Sequence, residues 1–167
     1  MRSTSTAAGW ISPRQPLNSR KRLILVADSN DGFLDSSLEE ALEPTDYALL
    51  HVRNGLEAVA TLELLKSDIE LAIIEERFSE VNGFDLIGRL GIRDQTKPVK
   101  IIMTTVYDRP LSPQIVRQLG GDAVVCKPIP PDEWRKAVDT VLSGAGCTPP
   151  DRLFNQPCCQ EQSDSIL

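Results

Sequence analysis

The sequence predicts an α/β fold, a doubly wound parallel sheet with helices on both faces. Three observations carry this. Apolar runs of strand length alternate with segments of helical periodicity about five times along the chain. The runs are apolar at successive positions, as strands covered by helices above and below must be. Gly, Pro and Asn-Gly punctuation falls between them.

Each element has its own reason. Leu23 to Ala27 is an unbroken aliphatic run and reads as the first strand, after which Asp28-Ser29-Asn30-Asp31 opens a helix. Phe33, Leu34, Ser37, Leu38, Ala41 and Leu42 give that helix an apolar face, and Pro44 stops it. Tyr47 to Val52 is the second strand; Asn54-Gly55 ends it, and Leu56 to Lys66 is helical. Leu71 to Ile74 is a third, buried strand. The third helix spans Gly83 to Arg93, with Phe84, Ile87 and Leu90 facing in. Lys100 to Thr104 is the fourth strand. Leu111 to Leu119 is a short helix begun by Ser112-Pro113 and ended by Gly120-Gly121. Ala123 to Cys126 is the fifth strand. The last helix follows Pro130-Pro131 and turns Trp134, Ala137, Val138, Val141 and Leu142 inward.

Composition narrows the function classes. The 167 residues suffice for one ordinary domain with tails. Apolar residues make up 41% and charged residues 25%, as in a globular protein. A net charge of −6 argues against a nucleic-acid-binding surface. No apolar run reaches membrane-spanning length, and the first 20 residues lack the apolar core of a signal peptide, so a cytoplasmic location is expected. Cys126, Cys147, Cys158 and Cys159 show no metal spacing and read as free thiols. Residues 1–20 and 144–167 are polar, Pro-containing segments that read as a disordered lead and tail around a domain at 21–143.

In an open parallel sheet the functional residues lie just past the carboxyl ends of the strands. Here those positions hold Asp28-Ser29, Glu75-Glu76, Thr104-Thr105 and Lys127-Pro128. Strand ends meet solvent, so any one of these could be polar for that reason alone. Acid, acid, hydroxyl and ammonium converging on one edge form a candidate site. Elsewhere the sequence offers little. His51, the single histidine, reads as structural, and no Ser-His-Asp set can be built around it. No Gly-rich phosphate loop is present. The terminal Ser165-Ile166-Leu167 is only weakly like a carboxylate-groove ligand.

The stretches RLILVADSND, HVRNGLEAVATL, LAIIEERFSEVNGFDLI, KPVKIIMTT and GGDAVVCKPI resemble the receiver domain of two-component response regulators. The resemblance covers residues 21–143. It implies a flavodoxin-like five-stranded sheet of order 2-1-3-4-5. It places Asp28 on the first of the family's two acids and Ser29 where the second should be. Glu75 falls on the phosphoacceptor, because Gly83 follows it by eight residues. Thr104 matches the family's hydroxyl and Lys127 its lysine, with a cis Lys127-Pro128 bond. Val124 stands where the family has a switching aromatic, and Phe78-Ser79 where Met-Pro is usual. The implied partner face is the fourth helix, fifth strand and fifth helix, here including Tyr107, Val116, Arg117, Val124 and Lys136.

Two departures fall on the chemistry. Receivers accept a phosphoryl group on Asp with bridging Mg²⁺, which wants hard oxygens in near-octahedral array. Ser29 removes one anionic ligand. Glu75 lengthens the acceptor by one carbon, about 1.5 Å, which is large against the tolerance of in-line transfer. Arg77 adds a cation able to pair with Glu75 or Glu76 in the space of a metal. Weak or absent Mg²⁺ binding, no cofactor and no enzymatic activity are expected. Glu75 either mimics the charge of an aspartyl phosphate, touching Thr104 and Lys127, or marks an inactive pocket. The sequence thus reads as a stand-alone pseudo-receiver that signals by binding another protein, a histidine kinase or another regulator, without nucleic acid or membrane. The residues after Ser143 are too few for a DNA-binding module. The rivals are a phosphorylatable, Mg²⁺-dependent receiver fed by a histidine kinase, and a flavodoxin-like cofactor binder.

Overall fold

A computed structural model describes residues 22–29, 33–43, 45–65, 67–77, 81–92, 99–106 and 111–144. Five strands and five helices alternate: β1 (Arg22–Ala27), α1 (Phe33–Leu42), β2 (Tyr47–Val52), α2 (Gly55–Leu65), β3 (Ile69–Glu75), α3 (Gly83–Ile92), β4 (Lys100–Val106), α4 (Pro113–Gln118), β5 (Ala123–Lys127) and α5 (Pro131–Ser143). The strands pair in parallel in the order β2-β1-β3-β4-β5. The sheet order implied by the resemblance is the one observed. Segments 1–20 and 145–167, with three of the four cysteines, lie outside the described residues; Cys126 is buried and forms no disulfide among the described residues.

Burial explains the apolar runs. Ile24, Leu25, Val26 and Ala27 of β1 and Leu71, Ala72, Ile73 and Ile74 of β3 are all buried, because both strands are interior and covered on both faces. Parallel neighbours require crossovers, and right-handed crossovers fix the faces. The chain steps from β1 outward to β2 and then returns past β1 to β3. Hence α1 lies on one face with α5, and α2 packs with α3 on the other. The order reverses between β1 and β3, which opens a crevice at their carboxyl ends. Trp134, Ala137, Val138 and Val141 of α5 are buried as the periodicity predicts.

Some boundaries differ from the sequence reading. β3 starts earlier and ends later than Leu71–Ile74, since Ile69 pairs with Leu23 across a register shift and Glu75 pairs with Thr104. α4 is shorter than Leu111–Leu119: Pro113 starts it, and Gly120 at φ 97° ends it in the left-handed region. The amides of Gly120 and Gly121 donate back to the Arg117 and Val116 carbonyls. Among the described side chains of α3, Leu86 and Ile87 are fully buried, while Phe84 is only partly buried. The side chains of Phe33, Leu34 and Leu90 lie outside the description.

Candidate functional site

Register brings the site together. Ala27 of β1 lies beside Ile74 of β3, so Asp28 follows beside Glu75; Glu75 pairs with Thr104, Thr104 with Val125, and Val106 with Lys127. Side chains alternate along a strand, so Asp28, Glu75, Thr104 and Lys127 share one side of the sheet edge. Glu76, Thr105 and Cys126 fall on the other side by the same alternation.

At the centre of the first set is Lys127. Its Nζ donates to Asp28 Oδ2 at 2.5 Å and to Glu75 Oε1 at 3.1 Å. The side chains are 12% exposed for Lys127, 4% for Asp28 and 13% for Glu75, so water screens these contacts little. The other Glu75 oxygen, Oε2, accepts from the Ser29 hydroxyl at 2.6 Å and from the Ser29 amide at 2.9 Å. Both carboxylate oxygens are thus held by the protein itself. Burial pushes the Glu75 carboxyl upward, but the Ser29 hydroxyl, the Ser29 amide and Lys127 outweigh it and hold it below the usual carboxylate range. Two carboxylates and one ammonium leave a net negative charge, which the Ser29 donors offset in part.

On the opposite side, Thr105 Oγ1 donates to Glu76 Oε2 at 2.8 Å. The Glu76 amide donates to the Thr104 carbonyl at 2.9 Å, carrying the ladder one step past Glu75. Glu75 and Glu76 therefore do different work: one enters the crevice, and the other ties β3 to β4.

The loop after β3 explains the Asn-Gly. Gly83 opens α3 so close to β3 that a Cβ would stand 2.2 Å from the Glu75 carbonyl oxygen. Its amide donates to the Glu76 carbonyl, and Asn82 Oδ1 accepts from the Phe84 amide at 3.0 Å. Only glycine fits that approach, which fixes the path of the chain leaving Glu75.

Several expectations need correction. Arg77 is exposed and forms no ion pair with Glu75 or Glu76; Lys127 and Ser29 hold Glu75, and Thr105 donates to one oxygen of Glu76. Thr104 does not hydrogen-bond to Glu75: it is fully buried, and its Oγ1 has no hydrogen-bond partner among the described residues. Val124 and Val116 are each 0% exposed and belong to the core, so neither can lie on an accessible partner face. Val124 lies within the covered sheet, and Val116 turns from α4 toward it, packing closely over Gly121. Arg117 and Lys136 are exposed, and Tyr107 lies outside the described residues. The Lys127-Pro128 bond is cis. The sequence reading missed Thr105 as the partner of Glu76, and it missed Ser29 as a donor to Glu75. Period-two alternation puts Glu76 and Thr105 each on the side away from the crevice, but pairing them takes the register of β3 with β4.

A family model for the response regulator receiver domain matches residues 24–139. The polar-differentiation response regulator DivK of Brucella anthropi is 24% identical over 123 residues, covering 73% of this chain and 97% of that relative. Among solved structures, the signal receiver domain of a signal transduction histidine kinase from Syntrophus aciditrophicus superposes with a TM-score of 0.59 at 28% identity, covering 75% of this chain and 93% of that one. The chemotaxis response regulator CheY4 of Vibrio cholerae gives a TM-score of 0.60 at 21% identity, covering 72% and 98%, and shares the fold.

Proposed function

This chain belongs to the response regulator receiver domain family of two-component signalling, and from that premise we propose that it signals by binding a protein partner without accepting a phosphoryl group. The observation that carries the proposal is the double engagement of Glu75. One oxygen is taken by Lys127 and the other by Ser29. Both oxygens of this carboxylate are engaged within the domain, and it stands one carbon further from its strand than aspartate would, a displacement large against the tolerance of in-line transfer.

The donors present fit a hard divalent cation poorly. Mg²⁺ demands near-octahedral oxygen ligands. Here Asp28 Oδ2 and Glu75 Oε1 are bound to the Lys127 ammonium, and position 29 offers a hydroxyl that donates inward. Among the described residues no group of three His, Cys, Asp or Glu side chains is placed to hold a metal. Weak Mg²⁺ binding and a non-enzymatic, cytoplasmic role are part of the proposal.

The ammonium of Lys127 faces a carboxylate without any modification, so Glu75 gives the pocket a fixed negative charge. The orphaned Thr104 hydroxyl limits the mimicry: Glu75 engages the lysine and not the threonine. For the partner, a histidine kinase or another regulator, the accessible part of the expected face is α4 and α5. There Arg117, Ile115 and Leu119 at α4 and Lys136 on α5 are exposed.

The test is labelling by acetyl phosphate with and without Mg²⁺. The unmodified chain should take no label, and neither should Glu75→Asp, because Ser29 still occupies a ligand position. Glu75→Asp combined with Ser29→Asp should bind Mg²⁺ measurably and take some label. Stoichiometric, Mg²⁺-dependent labelling of the unmodified chain would overturn the proposal and establish a phosphorylatable receiver.

A further inference from the structure

Helix α2 has two apolar faces. Gly55, Ala58 and Leu62 are buried against the domain. On the opposite side Leu56 is 62% exposed and Leu64 is 81% exposed, with exposed Ala60 midway between them. At about 100° per residue these three fall within one narrow stripe, and at about 1.5 Å per residue the two leucines stand about 12 Å apart. Glu57 and Glu63, both exposed, border the stripe on its two sides. Glu57 is anchored by the start of the helix, where it accepts from the Arg53 amide while Asn54 Oδ1 accepts from the Glu57 amide. Close packing of Gly55 on Val81 holds that end of the helix against the domain. Lys66 follows the helix and lies outside the described residues.

From this arrangement we infer that the outer face of α2 is a docking stripe for an amphipathic helix with a short apolar seam bordered by Lys or Arg. Two leucine knobs two turns apart, with alanine between them, match the spacing of side chains on a helix and allow close approach at the middle. The bordering glutamates choose the partner's charge. They also disfavour a second copy of this chain. The stripe is symmetric about Ala60, so antiparallel pairing of two α2 helices would put Glu57 on one flank with the partner copy's Glu57, and Glu63 on the other flank with its Glu63, like charges on both sides. The stripe lies apart from the crevice of Asp28, Glu75 and Lys127, and the inference does not depend on whether Glu75 accepts phosphate.

The test uses the full chain and two synthetic helical peptides with the same leucine seam, one bordered by lysine and one by glutamate. Binding is read by fluorescence anisotropy of the labelled peptide. The lysine-bordered peptide should bind at least about tenfold more tightly, a difference of about 1.4 kcal/mol. Leu64→Lys should abolish this binding, and Glu63→Lys, whose lysine offsets the charge of Glu57, should remove most of the preference between the peptides. Both positions are exposed, so circular dichroism should report an unchanged fold; Ala60→Glu provides a second variant with the same expected loss. Equal binding of both peptides, no binding of either, or binding untouched by Leu64→Lys and Ala60→Glu would each overturn the inference. A dimer in sedimentation that Leu64→Lys dissolves would overturn it too, by assigning the stripe to a second copy.

Discussion

Lys127 sets the energetics of the crevice, because a nearly buried ammonium must keep acceptors. It has two, Asp28 and Glu75, and they are not equivalent. Asp28 is the shorter contact and the more buried side chain, whereas Glu75 shares its charge with Ser29. Removing Glu75 takes one of two acceptors from the nearly buried Lys127 ammonium, while the exposed Ser29 donors turn to water. Glu75→Ala should therefore cost about 1–3 kcal/mol. Asp28→Ala removes the closer partner and should cost more, toward the roughly 3–5 kcal/mol seen when one member of a buried pair is lost. Urea denaturation of both single variants and of the double variant measures this. The double variant should fall short of the sum, since both carboxylates serve one lysine. A neutral Glu75→Ala would show that the ion pair contributes nothing net. The convergence of these residues was legible in the sequence, because each lies one step past a buried run. The contact list was not. Which donor a carboxylate takes depends on distances of an ångström or so, and there Ser29 wins over Arg77.

At the scale of elements, the turn from β3 into α3 separates two glycines of one helix. Gly83 sits where a Cβ would meet the Glu75 carbonyl at 2.2 Å, whereas a Cβ at Gly88 would meet nothing within 4 Å. Alanine at either position gains about 0.5–1 kcal/mol of helix propensity. At position 83 the clash is with backbone, which cannot rotate away, and overpacking of this kind costs about 1–3 kcal/mol. Gly83→Ala should therefore be destabilising overall, and Gly88→Ala stabilising by about 0.5–1 kcal/mol; thermal unfolding of the two variants checks the opposite signs. Two stabilised variants would mean that the loop gives way freely. Element types followed from the sequence because interior strands must be apolar throughout, as β1 and β3 are. Exposure on the later elements did not. Val116 and Val124 are equally apolar whether they face a helix or a partner, and only the packing of the helices over the sheet decides that they are core. Thr105 was hidden for a related reason. Its link to Glu76 depends on the register of β3 with β4, which no local pattern states.

For the whole molecule, the crevice makes stability depend on pH. The folded state holds the Glu75 carboxyl below its ordinary value of 4.5: burial opposes this, but the Ser29 hydroxyl and amide and Lys127 prevail. The unfolded chain therefore binds this proton more readily than the folded one as pH falls. The resulting stabilisation is fully present above the ordinary carboxylate range and is lost as pH drops through the lower folded value. Glu75→Gln removes the titrating group while keeping a side chain of similar size. The unmodified chain should then show the steeper loss of stability on acidification below about pH 4.5, the extra slope being at most one proton, or about 1.4 kcal/mol per pH unit. Near neutral pH the variant should be the less stable of the two, because a neutral amide holds the Lys127 ammonium less strongly than a carboxylate. Urea titrations at a series of pH values from neutral to acid provide the comparison. Parallel acid limbs for the two proteins would mean that Glu75 titrates alike in the folded and unfolded chain, and the lock of Ser29 and Lys127 on this carboxylate would have no thermodynamic weight.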